Sequence, residues 1–225
     1  MLALIGSGEY LPPILPVDRY LIEHLPESPR IICLPTAAGT EGPERIKYWS
    51  DLGVEHFSSL GAPVESLPVI DRSSANDSQI IAPLYEANFV YLSGGKPDYL
   101  INTLAGSLAW QAIQAVLDRG GLLVGCSAGA MIMGERIPGF PRAQPGFKLL
   151  PGVVVIPHYD EIPKSLTRIF RLLLGKGSKL VGIERNTALF INGGNCDVVG
   201  LGGVTVRDKN EVKRYTNGNR ILNIL

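Results

Sequence analysis

The chain has 225 residues, of which 45% are hydrophobic, and its 21 Lys and Arg balance 21 Asp and Glu, so the formal net charge is zero. This length suits one sizeable domain over residues 1–225, and the neutral balance lacks the basic footprint of a nucleic-acid-binding protein. No apolar run reaches the roughly 20 residues of a membrane span and the first residues have no basic signal segment, so we expect a soluble, cytoplasmic protein without nucleic-acid or membrane partners.

Short apolar runs alternate with amphipathic segments over the first two thirds of the chain. This alternation is typical of βαβ units built around a parallel sheet with helices on both faces, which gives an α/β fold class. Strands are predicted at residues 2–5, 31–34, 64–70, 89–92, 121–126 and 153–156. Helices are predicted at residues 16–24, 42–60, 78–87, 98–104, 108–119, 128–135 and 164–174.

The pattern changes after residue 180, where short strands are separated by turns rich in Gly or Asn. These strands are predicted at residues 181–183, 188–191, 197–199, 204–206 and 212–215. We expect them to form antiparallel hairpins that close one edge of the sheet. Residues 137–150 are rich in Pro and Gly and are interpreted as a loop that helps to shape a pocket.

The three cysteines share no metal-ligand spacing, and two of them lie in apolar runs predicted to be buried strands. We therefore expect Cys33, Cys126 and Cys196 to be free, buried thiols, which suits a reducing compartment. No metal or cofactor is expected.

The segment GCSAG, residues 125–129, places Ser127 directly after the apolar run of the fifth strand. It fits GxSxG, in which a serine occupies a sharp strand-to-helix turn that is strained and has no room for bulky neighbours. Ser127 is therefore a candidate nucleophile, and the N–H of Ala128 at the helix start is a candidate oxyanion donor. The alternative is an ordinary turn, because GxSxG alone also occurs by chance.

A serine nucleophile needs a base, and His158 is the preferred candidate. It follows the strand at 153–156, and strand ends are where parallel sheets tend to hold functional groups. His24 and His56 lie on amphipathic helices and are interpreted as solvated. The alternative for His158 is a hydrogen-bonded residue at a strand end. No histidine follows it, which disfavours the order Ser, acid, His of the α/β-hydrolases.

The third residue of such a set is an acid that orients the imidazole. The candidates after the serine are Glu135, Asp160, Glu161 and Glu184. Glu184 is preferred because it ends the apolar run KLVGI, again at a strand end. Asp160 is close to the histidine in sequence, but two residues along an extended chain it would turn away from the ring. The alternative for each is a surface charge.

Two glycine-containing turns follow other strands. In YLSGGKPDYL, residues 91–100, the N–H of Gly94 or Gly95 would supply a second oxyanion donor, unless this is an ordinary turn. The segment LIGSGEYL lacks the third glycine of a dinucleotide fingerprint, because Leu11 stands at that position. We interpret it as a close-packed turn with Glu9 facing the pocket.

Taken together, these segments resemble peptidase family S51, the serine peptidases of the dipeptidase E and cyanophycinase group, which have the class I glutamine amidotransferase-like fold. The resemblance runs along most of the chain through LIGSGE, LPTAAG, LSGGKPDYL, GCSAGAMIMG, RIFRLL and GIERNTAL. It implies Ser127 as nucleophile, His158 as base and an acid from GIERNTAL. It also implies an oxyanion hole from Gly94 or Gly95 and Ala128.

The chain departs from the family pattern in three places. Cyanophycinase-like members carry an Asp-Glu pair near GIERNTAL, and an ungapped match places Glu184 on the Asp and Arg185 on the Glu that orients the histidine. Lys96 stands where another polar residue is common, so it would either bind a substrate carboxylate or block the usual substrate. Dipeptidase E members take their acid from an Asp shortly after the serine, where this chain has Arg142. The cyanophycinase-like branch is therefore closer. Cys126 is not expected to be a nucleophile, since its sulfur would point away.

The sequence therefore predicts a serine peptidase or amidohydrolase that cleaves a small peptide or isopeptide through an acyl-enzyme. The resemblance implies that the substrate contains an aspartyl residue. Glu9, Lys96, Asp160 and Arg185 are candidates for binding this substrate, and a homodimer is left open. The alternative is a catalytically inactive amidotransferase-like module for binding or structure.

Overall fold

A computed structural model describes residues 1–138, 143–163, 178–222 and 224. Within these ranges it has six α-helices and fourteen strands. The helices are α1 (Leu15–Glu23), α2 (Pro43–Ser59), α3 (Ser78–Ile81), α4 (Pro97–Leu104), α5 (Leu108–Asp118) and α6 (Ala128–Met131). The strands are β1 (Leu2–Ile5), β2 (Ile31–Leu34), β3 (Val64–Ser66), β4 (Phe89–Leu92), β5 (Leu122–Cys126), β6 (Arg136–Ile137), β7 (Gln144–Pro145), β8 (Val153–Ile156), β9 (Lys179–Ile183), β10 (Thr187–Asn192), β11 (Asn195–Gly200), β12 (Gly203–Arg207), β13 (Val212–Thr216) and β14 (Arg220–Ile221).

The central sheet contains eight of the described strands in the order β14-β11-β10-β1-β5-β4-β2-β3. The five strands from β1 to β3 in this order run parallel to one another. Strand β10 joins β1 antiparallel, and β11 and β14 continue in antiparallel pairs. The predicted α/β class, with a mostly parallel sheet and antiparallel hairpins at its C-terminal edge, is confirmed.

The two faces of this sheet bury separate apolar clusters, because alternate residues of a strand point to opposite faces. From β1, Ala3 and Ile5 pack with side chains of α1 and α2, whereas Leu4 packs with those of α4 and α5. No single helix in the described part of the chain is both long and apolar enough to cross a membrane. The helices α4 and α5 pass that test only as a pair bent by 88°.

A second sheet of the described residues has the order β13-β12-β9-β8. Strands β8 and β9 are parallel, and β9, β12 and β13 are antiparallel. The expectation that all C-terminal strands close one edge of the central sheet was therefore wrong for β9, β12 and β13. Their apolar runs set which residues are strand, but pairing partners are chosen by tertiary packing.

Several predicted boundaries shift where proline or tertiary pairing intervenes. Strand β3 ends before Pro68 and α3 ends before Pro83, since proline has no N–H to continue a ladder or a helix. Helix α6 stops at Met131, and the N–H of Glu135 donates instead to the carbonyl of Val153 at 2.8 Å. The predicted helix at 164–174 lies outside the described residues. The three cysteines are free and buried, as predicted.

Candidate active site

The candidate site lies where the chain leaves three neighbouring parallel strands. The order β1-β5-β4 brings together the turn after β1, Ser127 after β5 and the glycine pair after β4. Because all three strands are parallel, their carboxyl ends share one edge, which is where such sheets form crevices for ligands.

The turn at Ser127 has the strained geometry that GCSAG predicts. Ser127 has φ 50° and ψ −107°, a conformation that L residues rarely adopt. A Cβ on Gly125 would lie 2.3 Å from the backbone carbonyl carbon of Gly129. A Cβ on Gly129 would lie 2.6 Å from the carbonyl oxygen of Leu92. Both flanking positions thus require glycine, and the turn presents the serine hydroxyl beyond the end of β5.

His158 approaches this hydroxyl from the second sheet. It follows β8 in a left-handed conformation, with φ 51° and ψ 35°. Its Nε2 lies 3.1 Å from the Oγ of Ser127, within hydrogen-bond distance. The two residues predicted as nucleophile and base are therefore in contact, although they come from different sheets.

The carboxylate that contacts the other ring nitrogen belongs to Glu161. Its Oε2 lies 3.5 Å from Nδ1 of His158, in a pair whose side chains are 46% and 41% exposed. Glu161 also accepts a hydrogen bond from the guanidinium of Arg185. That hydrogen bond, and secondarily His158, lower the pKa of the Glu161 carboxyl, so it is ionised at neutral pH.

The preferred acid, Glu184, lies elsewhere. Its Oε1 and Oε2 each accept a hydrogen bond at 2.6 Å from Arg214 on β13. This bidentate pair lowers the pKa of Glu184. The prediction that Glu184 contacts His158 was therefore wrong, because the Glu184 side chain points to Arg214 in the second sheet instead. The other candidate, Glu135, accepts a hydrogen bond from the N–H of Gly152 at 2.6 Å.

Asp160 and Arg185, both predicted as substrate-binding candidates, bond to the protein itself. The Oδ1 of Asp160 accepts a hydrogen bond at 2.9 Å from the backbone N–H of Arg185. The Arg185 side chain binds Glu161. These contacts join the turn after β8 to the end of β9 and so fix the position of Glu161 beside His158.

The candidate oxyanion donors differ in availability. The N–H of Gly94 donates to Oε1 of Glu9 at 2.9 Å and is therefore already used. Among the described residues, no hydrogen bond uses the N–H of Gly95 or of Ala128. A Cβ on Gly94 would lie 3.3 Å from the Cβ of Ser127, so this loop directly adjoins the serine. Gly95 and Ala128 are the two donors that the geometry leaves free.

Glu9 lies beneath the serine turn and also lines a cleft beside His158, as predicted. It is buried, with 8% of its surface exposed. While Oε1 accepts from Gly94, Oε2 accepts a hydrogen bond at 3.1 Å from the thiol of Cys126. The pKa of Cys126 is raised well above its ordinary value, by burial first and by the Glu9 charge second, so this thiol stays protonated. Sequence reasoning did not find this bridging role, because its partners are 85 and 117 residues away.

Lys96 directly follows the glycine pair after β4. Its Nζ donates a hydrogen bond to Oγ1 of Thr40 at 2.9 Å, at an exposed position. An ammonium has three donors, so this contact leaves two for other acceptors.

The other two histidines have different surroundings. His24 is exposed, as expected, and its Nδ1 bonds the carbonyl of Tyr20 at 2.7 Å. The interpretation of His56 as solvated was wrong, since it is 5% exposed and its Nε2 lies 2.8 Å from Oδ2 of buried Asp18. This pair joins α2 to α1 on the opposite side of the sheet from the α4 and α5 layer.

The chain matches one protein family over most of its length. A family model described as peptidase family S51 matches residues 2–199. The chain is 32% identical over 176 residues to a cyanophycinase of Synechococcus elongatus, a match that covers 72% of this chain and 54% of that protein. A cyanophycinase of Trichormus variabilis is 30% identical over 176 residues, with 58% of its length covered. The chain thus spans little more than half the length of these curated relatives.

Two solved structures have folds similar to that of this chain. A peptidase from an acI-B1 Actinobacterium has a TM-score of 0.89 and 35% sequence identity, with 98% of this chain and 96% of that chain covered. A putative peptidase E protein from Listeria monocytogenes has a TM-score of 0.68 at 23% identity, which indicates the fold alone.

Proposed function

Because the chain belongs to peptidase family S51, we propose that it is a serine-type peptidase that cleaves an amide bond in a small peptide or isopeptide. The observation that carries this proposal is the 3.1 Å contact between the Oγ of Ser127 and Nε2 of His158. A hydroxyl is a weak nucleophile unless a base accepts its proton, and this contact supplies the base.

The reaction begins with attack of the Ser127 oxygen on the substrate carbonyl, while His158 accepts the hydroxyl proton. The carbonyl oxygen becomes an oxyanion, which the backbone N–H groups of Gly95 and Ala128 stabilise. His158 then gives its proton to the departing amine, which leaves an acyl-enzyme on Ser127. Water attacks this ester by the same steps in reverse, with His158 again as the base, and frees the serine.

In this proposal Glu161, rather than Glu184, is the acid that orients the imidazole of His158. Its carboxylate faces Nδ1 of His158 and stabilises the imidazolium that forms during attack. Arg185 stands where the family resemblance implies a glutamate, and here it holds Glu161 by a hydrogen bond. The carboxylate beside His158 is thus that of Glu161, in the turn after β8. Arg185, after β9, supplies the cation that holds this carboxylate in place.

For the acyl side of the substrate we propose an aspartyl or β-aspartyl residue. The relatives in the comparison are named cyanophycinases, and Lys96 offers a cation next to the oxyanion loop. The matched test is cleavage of aspartyl and β-aspartyl dipeptides against their asparaginyl counterparts, in the wild type and in Lys96→Met. A preference for the acid that disappears in Lys96→Met supports this assignment, whereas an equal preference in both proteins contradicts it.

The experiment that tests the activity itself is labelling with a fluorophosphonate probe at neutral pH, followed by mass mapping. We expect the label on Ser127, and we expect His158→Ala to abolish it without a large loss of thermal stability. Absence of labelling in the folded wild type would instead favour the catalytically inactive module. Full labelling of His158→Ala would contradict the assigned base.

A further inference from the structure

A cleft of about 310 Å³ opens beside His158. Four of its lining residues are large and apolar, namely Leu11 from the turn after β1 and Tyr48, Trp49 and Leu52 from α2. Leu11 is 46% exposed and Tyr48 is 47% exposed, which makes them two of the six exposed large apolar side chains in the described part of the chain. Scattered exposed apolar residues are normal, but a contiguous group in a concave site marks a binding surface.

The aromatic wall of this cleft is held in place. The guanidinium of Arg45 lies 4.8 Å from the ring centre of Tyr48 and 4.9 Å from that of Trp49. The two rings also meet edge to face, with their centres 5.4 Å apart. A cation over two packed rings restricts their rotation, so little conformational entropy is lost when a ligand binds against them.

The charged residues at the cleft already have partners within the protein. Glu161 is bonded to Arg185 and adjoins His158. Glu9 accepts hydrogen bonds from Gly94 and Cys126. An apolar group that enters the cleft therefore leaves these polar groups with their partners, and the cost of desolvation stays small.

His158 fixes which part of a substrate would occupy this space. In the proposed reaction it gives its proton to the leaving amine, which must therefore lie against the imidazole. His158 is itself a wall of the cleft. The residue that carries the leaving amine is thus the one whose side chain reaches the aromatic wall.

We propose that this cleft is a specificity site for the leaving-group residue and that it takes a large apolar side chain such as phenylalanine, leucine or methionine. The proposal rests on the proposed peptidase function, and it adds a selection on the amine side of the cleaved bond to the acidic residue proposed on the acyl side.

The test uses two dipeptide libraries, Xaa–Phe and Xaa–Gly, in which Xaa is a mixture of the common amino acids and β-linked aspartate. The mixture avoids any assumption about the acyl side. Cleavage is followed by mass spectrometry. Burial of a phenylalanine side chain predicts about 10- to 100-fold higher kcat/KM for Phe than for Gly. Equal cleavage of the two libraries overturns the proposal.

Variants locate the preference in the cleft. Trp49→Ala should lower the Phe-to-Gly ratio by about tenfold, whereas Trp49→Phe should keep most of it. Tyr48→Ser is a second variant that removes an exposed ring without opening the core. Tyr85→Ala is the matched control, because Tyr85 is 44% exposed and is not a lining residue of the cleft. An unchanged ratio in both Trp49→Ala and Tyr48→Ser contradicts the assignment.

Two further measurements separate this proposal from the peptidase function. An unchanged rate of fluorophosphonate labelling shows that a variant keeps its catalytic groups. If the wild type neither reacts with the fluorophosphonate nor cleaves the libraries, the peptidase proposal fails. Binding of free phenylalanine then tests whether the cleft accepts an apolar side chain. Saturable quenching of tryptophan emission by phenylalanine but not by glycine, lost in Trp49→Phe, supports the site. Its absence in the wild type overturns it.

Discussion

The choice of Glu161 over Glu184 as the acid beside His158 gives the sharpest prediction, because the two carboxylates have different partners. Glu161 lies 3.5 Å from Nδ1 of the ring, whereas Glu184 is held by Arg214. We expect Glu161→Gln to slow reaction of Ser127 and Glu184→Gln to leave it nearly unchanged. Glutamine keeps the shape of each side chain and removes only its charge.

The magnitude follows from the distance and the exposure of the pair. Two unit charges about 4 Å apart attract by about 1 kcal/mol in water and by about 4 kcal/mol in a typical protein surface environment. The side chains of Glu161 and His158 are 46% and 41% exposed, so solvent screening places the pair toward the lower limit. Loss of about 1 to 2 kcal/mol of imidazolium stabilisation corresponds to a rate about 5- to 30-fold lower.

The assay is the pseudo-first-order rate of fluorophosphonate labelling at pH 7, measured by intact-protein mass spectrometry. Circular dichroism and thermal melting check that both variants fold. Because the pair is partly solvated, salt should slow the wild type more than Glu161→Gln. The reasoning is refuted if Glu184→Gln slows labelling more than Glu161→Gln does, or if Glu161→Gln labels at the wild-type rate.

Three more predictions follow from the surroundings of the site. Iodoacetamide at pH 8 should leave Cys126 unmodified in the folded protein and modify it after unfolding, because burial raises its thiol pKa; modification in the native state would contradict this. Glu9→Leu should lower the free energy of unfolding by about 1 to 3 kcal/mol, because the buried N–H of Gly94 loses its acceptor, whereas Glu9→Gln should cost much less. Arg214 lowers the pKa of Glu184, so this pair contributes stability above the ordinary glutamate pKa of about 4.3 and loses it as pH falls further. The difference in unfolding free energy between wild type and Glu184→Gln should therefore be about 1 kcal/mol at pH 7 and become smaller below pH 4. A difference that stays constant with pH would contradict the pairing of Glu184 with Arg214.

Local patterns were sufficient for much of the fold. The runs at residues 2–5, 31–34, 89–92 and 153–156 form strands with the predicted bounds. Short apolar runs that are bounded by turn residues are typical of buried strands, so the information is contained in a few neighbouring residues. The turn at Ser127 is local in part, since Gly125 is required by its contact with Gly129 in the same turn, whereas Gly129 is required by the carbonyl of Leu92 on the neighbouring strand β4.

The partners of the side chains at the site were not determined in this way. Glu161 and Glu184 both follow strands and both carry the same charge, and the sequence offered no means to rank their distances from His158. The structure shows which of the two is near His158, because Arg185 binds Glu161 and Arg214 binds Glu184. Such pairings depend on where β8, β9 and β13 lie in space, and this is set by packing across the whole domain.

The sequence by itself determined the α/β class and the strained serine turn, because glycine spacing and apolar periodicity act over a few residues. It also predicted Ser127 and His158 as partners from their positions after strands, but their contact joins two sheets. Only the tertiary structure decided that β8 and β9 form a separate sheet, that Glu9 occupies the N–H of Gly94, and that His56 is buried against Asp18. Each of these features joins segments far apart in the chain. Their energies depend on burial and on distances that a linear pattern does not contain.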